Sequence, residues 1–404
     1  MQTTGIICEY NPMHSGHMHQ LRVARDAGAD CIVLVMSGLF TERGEFAVLD
    51  KYARAEMALR AGADLVLELP YPFSAGSAEY FATAGVGILS RLSVDTLCFG
   101  SERGDGAFLE RAAETACSEA FRAAFAEAGK SGVGSASAYF NLLSAHMGVS
   151  EFGSNDVLGV EYLKAIRSLR ASIKPFVIRR EGAAYHAEDV TEGVHPSATA
   201  IRNAIFSGGE AESAEQYECL SGLPLAVTEV YRRAVERGLA PVHPASAASA
   251  ILGFYRMQSP SHLHGIAEMH GGLAERICRA AREAATLPDF YARAATKKYT
   301  DSRVRRAILY GMTGVTEEDL KAAPAYVNLL GATEVGRTFL SEYRRKKGAD
   351  LPVITRPAAI LDSETDATFR RQAELQLRAE ALYTLAFPVP QAAGRFLKER
   401  AVLV

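Results

Sequence analysis

Five short apolar runs punctuate the first half of the chain, at residues 4–8, 31–36, 65–69, 96–99 and 176–178. Each is nearly continuous in apolar character, the pattern of strands buried on both faces. The segments between them place apolar residues at helical spacing, most clearly over 17–27 and 50–61, and also over 106–129 and 137–146. Asp50 stands where an N-cap is needed. Strand alternating with helix predicts a parallel, doubly wound sheet. From about Glu210 the text turns Ala-, Arg- and Glu-rich and no strand ladder is expected. Helical periodicity covers 226–237, 245–256, 272–285, 303–310, 332–345 and 370–385, with breaks at Pro241, Pro260 and Pro288. The expected architecture is α/β, a Rossmann-like parallel sheet in residues 1–210 followed by a mainly α-helical domain in residues 211–404.

In such a sheet the loops after the strands gather at one crevice. Here they are EYNPMHSGH (9–17), residues 37–45, residues 70–77, Gly100-Ser101-Glu102-Arg103 and Arg179-Arg180-Glu181-Gly182, all rich in Gly, polar or charged residues. His14 and His17 flank Gly16 at the start of the first helix. That helix end offers unpaired N–H groups and a positive dipole, which favour a phosphate. Gly16 lets backbone and ligand approach closely. Two imidazoles there can donate to phosphate oxygens as charge develops, with no general base required. From this chain's own His and Gly counts, H-x-G-H is expected by chance roughly 0.02 times.

Further along, Asn155 precedes a helical run, where it could cap the helix or bind an adenine or ribose edge. One or both of Arg179 and Arg180, near a strand end, could clamp a phosphate through a planar fork. Then comes His195-Pro196-Ser197-Ala198-Thr199-Ala200-Ile201-Arg202. Its hydroxyls and helix-start amides could take up a leaving pyrophosphate, with Arg202 at i+3 from Thr199. An N-capped helix gives the same letters, so S-x-T-x-x-R gains weight only beside the upstream H-x-G-H.

Composition narrows the field. With 48% hydrophobic and 23% charged residues and a net charge of −3, the chain is ordinary and globular in character. No apolar run reaches the ~18 residues of a membrane span, and no basic-then-apolar leader precedes the first strand. A cytoplasmic protein is expected. Six scattered cysteines include no C-x-x-C pair, so no zinc site or disulfide framework is expected, and no residue is singled out as a metal ligand. Two basic clusters stand out against the acidic net charge. Residues 293–306 (RAATKKYTDSRVRR) enclose Tyr299, and Arg344-Arg345-Lys346-Lys347 follows. Basic residues around an aromatic suit an RNA backbone plus one stacked base.

With both motifs read, the chain resembles the adenylyltransferase superfamily with a HIGH-like signature. The wider set EYNPMHSGH, MSGLFTERGEFAVLDKYARAEMAL, DLVLELPYPFSAGSAEYFA, LCFGSE, SNDVLGVEY and SATAIR is similar to the bacterial tRNA(Met) cytidine acetate ligase family. The likeness spans nearly the whole chain, densest from residue 5 to about 206, with TKKYTDSRVRRAILYGMTG the best later segment. Met13 and Thr41-Glu42 depart from the pattern, where Phe and Val-Gln are common. The resemblance implies a nucleotidyltransferase fold and an enzyme that forms acetyl-adenylate from acetate and ATP with Mg²⁺. The acetyl group then passes to N4 of the wobble cytidine of elongator tRNA(Met). It implies catalytic roles for His14, His17 and Arg202. It carries ATP binding onto Ile7, Cys8, Glu9, Tyr10, Asn11, Pro12, Gly16, Gln20, Gly100, Asn155, Arg179 and Arg180, joined by the crevice residues Ser101, Ser197 and Thr199. RNA contacts are expected at Lys297, Lys298, Arg303, Arg305 and Arg306. Neither DNA nor a membrane is an expected partner. The same motifs also serve adenylyltransferases acting on a small phosphate ester or acid without RNA; the large helical half argues against that alternative.

Overall fold

The computed structural model describes residues 1–130, 136–180, 196–207, 209–346, 348–361 and 366–404. Among the described residues eight strands form one sheet: β1 Thr3–Cys8, β2 Cys31–Ser37, β3 Leu65–Leu69, β4 Thr96–Ser101, β5 Lys174–Arg179, β6 Val327–Ala332, β7 Val353–Ile354 and β8 Val402–Leu403. Their order is β5-β4-β1-β2-β3-β6-β7, with β8 on β6. β1 to β5 are mutually parallel. The order reverses between β1 and β4, so the crevice opens beyond the C-terminal ends of those two strands.

Helices cover both faces, which is why β1, β2 and β3 are buried along their whole length. Successive side chains of a strand point to opposite faces. Ile6 and Cys8 of β1 and Ile32, Leu34 and Met36 of β2 accordingly enter one core, while Ile7, Cys31, Val33 and Val35 enter the other. Helix Ala78–Arg91 lies on the second face. Its glycines obscure its helical character in the sequence, yet Gly85 is required: a Cβ there would meet Ile7 Cδ1 at 2.7 Å.

Two expectations are corrected. The helix expected over 106–129 is two helices, Gly106–Cys117 and Glu119–Lys130. Ser118 between them is extended, and its Oγ accepts from Phe121 N–H at 3.2 Å, capping the second. The second half also carries strands. β6 reads VNLLGA, is fully buried and pairs antiparallel with β3, and β7 and β8 pair with β6. The sheet therefore runs beyond residue 210, and one hydrophobic core draws residues from both halves.

A buried polar network fastens this junction. Lys51 Nζ lies 2.8 Å from Glu68 Oε2 and 2.6 Å from Glu380 Oε1. Asn328 of β6 donates to Glu68 at 2.7 Å, and Gln376 donates to Glu68 at 2.9 Å and to Glu380 at 3.0 Å. Removing one partner of such a set strands a buried charge at a cost of about 3–5 kcal/mol, whereas neutralising all members costs far less. Lys51→Met should therefore lower unfolding free energy by about 3–5 kcal/mol in urea titrations. The triple variant K51M/E68Q/E380Q should recover more than half of that loss.

Candidate active site

The crevice is built around the start of helix Ser15–Asp26. His14 is its N-cap, with extended backbone, and His14 Nδ1 accepts from Gly16 N–H at 3.1 Å. His17 Nδ1 in turn accepts from His14 N–H at 3.2 Å. A ring nitrogen that accepts carries no hydrogen, so in the neutral form each imidazole bears its proton on Nε2. The rings lie 3.9 Å apart, with Tyr10 4.5 Å from His17. Burial, aided by His14 and Arg180, holds His17 well below the usual histidine range. Two Nε2–H donors are thus fixed at the positive end of a helix, with His17 held neutral by its burial.

The S-x-T-x-x-R segment is tied to the same loop. Arg202 donates to Asn11 O at 2.6 Å and to Thr199 Oγ1 at 3.3 Å, and lies 3.5 Å from Glu45. Asn11 Oδ1 accepts from Val48 N–H at 2.8 Å. Ser197 accepts from Ala200 N–H at 3.1 Å, so it caps helix Ala198–Ser207 while also lining the crevice. His195, Glu181 and Gly182 lie outside the described residues.

Opposite stand β4, β5 and helix Ser154–Ser168. The capping group of that helix is Glu102 rather than Asn155. Glu102 accepts from Asn155 N–H at 3.0 Å, Asn155 Nδ2 at 2.6 Å and Asp156 N–H at 2.8 Å. Burial raises the Glu102 carboxyl, but these bonds outweigh it and hold the group below its ordinary range. Asn155 Oδ1 accepts from Arg180 at 3.1 Å. A Cβ at Gly100 would stand 3.0 Å from Arg180 Cγ, and Gln20 donates to Cys98 O at 3.2 Å.

These groups enclose a cavity of about 940 Å³. It brings together His14, His17, Arg202, Ile7, Cys8, Glu9, Tyr10, Asn11, Gly16, Gln20, Gly100, Asn155, Arg179, Arg180, Ser197 and Thr199. Pro12 and Ser101 do not line it. The Ser101 hydroxyl is buried and donates to Asp156 at 2.5 Å, which makes it part of the frame. Burial raises the Cys8 thiol, leaving it protonated. The loop 37–45, read as part of the crevice, supplies Glu42 and Arg43, whereas the sequence reading missed Tyr139, Glu161 and Lys164 on the wall, and Thr300 and Ser302 from the second half. The i, i+3, i+4 set Leu158, Glu161 and Tyr162, on the helix that carries Asn155, was the available signal.

The basic cluster divides. Lys297 and Lys298 are exposed. Arg303 and Arg306 instead pair with Glu268 at 3.2 and 2.8 Å, and Arg306 is buried on the cavity wall. Arg305 pairs with Glu45 at 2.7 Å, and Tyr299 is buried with its hydroxyl on Gly271 O. Arg305, and Arg306 through Glu42 O at 3.5 Å, therefore hold the second half onto the loops around the crevice, while Arg303 braces its own half.

A doubly wound sheet with H-x-G-H at its first helix and S-x-T-x-x-R entering the same crevice defines a nucleotide-binding protein of the nucleotidyltransferase class. The chain belongs to the HIGH Nucleotidyl Transferase family, whose model matches residues 1–396. It is 33% identical to the tRNA(Met) cytidine acetate ligase of Acetivibrio thermocellus and 35% identical to that of Caldanaerobacter subterraneus subsp. tengcongensis, with 96% of each chain covered in both. Crystal structures of Thermotoga maritima TmcAL superpose over the whole of both chains. The apo form gives a TM-score of 0.90 at 31% identity, and the form bound with alpha-thio ATP gives 0.88 at 32%.

Glu9 offers a test of this geometry. Burial pushes its carboxyl from 4.5 up to about 7, although Glu42 N–H donates to it at 2.6 Å. A native value above the unfolded one means that stability is lost as pH rises from about 4.5 through about 7. Glu9→Gln should therefore be more stable than wild type at pH 8 by about 1–3 kcal/mol. The difference should close by pH 5, as followed by urea denaturation across that range.

Proposed function

We infer that this protein is an ATP-dependent ligase that activates acetate and transfers it to N4 of the wobble cytidine of elongator tRNA(Met). The observation that carries the reading is the His14–His17 pair, locked by backbone N–H groups at a helix start that Arg202 also reaches. An acetate oxygen bonds to the α-phosphorus of ATP as the bond to pyrophosphate breaks. The departing charge falls where the Nε2–H donors of His14 and His17 and the Arg202 guanidinium can stabilise it, and such preorganised donors need no reorganisation during reaction. The cytidine N4 then bonds to the acetyl carbon, loses a proton, and AMP departs. Acceptor and adenylate must be held together, since positioning supplies much of the rate. The names of the relatives and the ATP analogue bound to the Thermotoga protein support this assignment.

Mg²⁺ fits as an ion carried on the nucleotide. It usually binds through one or two carboxylates plus substrate phosphates, and the neighbouring carboxylates Glu9 and Glu42 line the cavity. Among the described residues no three His, Cys, Asp or Glu side chains converge as a preformed metal set. When bound, the ion would neutralise phosphate charge. Residues 1–210 would supply the nucleotide chemistry. Residues 211–404 would hold the tRNA, with Lys297 and Lys298 as exposed phosphate contacts. Among those described, no helix is long and apolar enough to cross a membrane.

Purified protein given ATP, Mg²⁺, labelled acetate and tRNA should place label in N4-acetylcytidine. Pyrophosphate release with a small acid or phosphate ester, and no labelled tRNA, would instead indicate a cofactor-type adenylyltransferase. His17→Ala should lower acetate-dependent ATP–pyrophosphate exchange at least about 100-fold, with tRNA affinity little changed in filter binding. K297A/K298A should weaken tRNA binding roughly tenfold at low salt while exchange persists.

A further inference from the structure

Beyond the nucleotide corner the cavity continues into an aromatic lobe that no step above uses. Helix Ser154–Ser168 turns Leu158, Glu161, Tyr162 and Lys164 onto its wall, and Tyr139 and Phe140 of helix Ala136–Met147 line the same space. Their two rings meet edge to face at 5.3 Å. Lys164 Nζ sits 4.8 Å over the Tyr139 ring and donates to both Glu161 oxygens, at 2.9 and 2.8 Å. The side chains are only 18% and 5% exposed.

The charge balance of this pair restricts its ligand. A cation already matched by a carboxylate has little attraction left for acetate or phosphate. What the pair still presents is an acceptor beside a donor, framed by flat apolar surface. That suits a neutral planar heterocycle whose edge carries a donor beside an acceptor. Unpaired bases are bound in this manner, stacked on aromatic side chains and hydrogen-bonded along their Watson–Crick edge. Glu161 lies six residues beyond Asn155, about 9 Å along the helix axis. A ligand in the lobe would therefore adjoin one in the nucleotide corner.

We propose that this lobe receives the acceptor cytosine, stacked on the wall of Tyr139, Phe140 and Tyr162, with N4–H donating to Glu161 and N3 or O2 accepting from Lys164. The proposal rests on the tRNA acetate ligase reading above. A uracil in the same place would set O4 against the carboxylate and N3–H against the ammonium, so the pair selects the amino edge over the oxo edge. Adenine shares that amino edge, and the test must separate the acceptor base from the base of ATP.

The test uses the full-length enzyme with two transcripts of elongator tRNA(Met), one with C34 and one with U34. Wild type should acetylate the first and bind it about tenfold more tightly than the second in competition. Glu161→Gln should lower acetyl transfer at least about tenfold and bring the two affinities within about threefold, while acetate-dependent ATP–pyrophosphate exchange stays near wild type. Lys164→Arg, which keeps both donor and charge, should retain the C34 preference, and Lys164→Gln should lose it. If E161Q does not fold, as judged by circular dichroism, the Lys164 pair of variants decides by the same readouts. Loss of exchange in parallel with transfer would place ATP or acetate in the lobe and overturn the proposal. An unchanged C34 preference in folded variants would overturn it too, since the base would then be read elsewhere. No transfer to tRNA by wild type would instead overturn the ligase reading, and this proposal with it.

Discussion

The crevice depends on one buried guanidinium. Arg54 is fully buried and donates to the carbonyls of Leu49 at 2.9 Å, Glu9 at 2.6 Å and Ser37 at 3.1 Å, and also to Gly38 O. Parallel strands end with carbonyl groups that the sheet no longer satisfies, and buried polar groups must find partners. Arg54 answers that need for β1 and β2 together, in the planar fork that only arginine offers. It thereby fixes where the EYNPMHSGH loop leaves the sheet. The positions of His14 and His17 follow from that departure point and from their own backbone bonds.

The same loops join the two halves of the chain. Glu45 stands between Arg202 of the nucleotide motif and Arg305 of helix Asp301–Thr313. Gly44, at φ +70°, packs so closely on that helix that a Cβ would lie 2.7 Å from Arg306 N. A left-handed backbone and a close approach together leave no alternative to glycine there. The Arg306–Glu268 pair is the more buried of the ion pairs around this contact, and the Arg305–Glu45 pair the more exposed. The first lies wholly within the second half and braces that helix, whereas the second, with the Arg306 donation to Glu42 O at 3.5 Å, spans the two halves. The second half is thus a wall of the crevice.

That arrangement explains what could be read from the sequence. The runs at 4–8, 31–36 and 65–69 match β1, β2 and β3 almost to the residue, because strands buried on both faces must be largely apolar, Glu68 of β3 being carried by its buried partners. H-x-G-H was legible because its geometry is local, made by backbone bonds within four residues. β6 was not, since a short run interrupted by Asn328 and ending in Gly-Ala reads equally as part of an alanine-rich helix, and only its pairing with β3 decides. The arginines at 303, 305 and 306 could not be resolved from sequence either. Their partners Glu268 and Glu45 are far away in the chain, and a basic run shows its charge without showing what neutralises it.

The chemistry gives these features a common reason. An acyl-adenylate is at risk from water, so a protein that makes one must bring the acceptor into the site where the adenylate forms. A sheet domain alone presents an open crevice at its switch point. Here helix Asp301–Thr313 adds Thr300, Ser302 and Arg306 to one side, and the helices carrying Tyr139 and Glu161 deepen another. Keeping His17 neutral belongs to the same logic. A donor that carries no net charge can stabilise departing pyrophosphate without binding it so tightly that it fails to leave, and in the proposed reaction Arg202, tethered by Asn11 O and Glu45, would supply the positive charge.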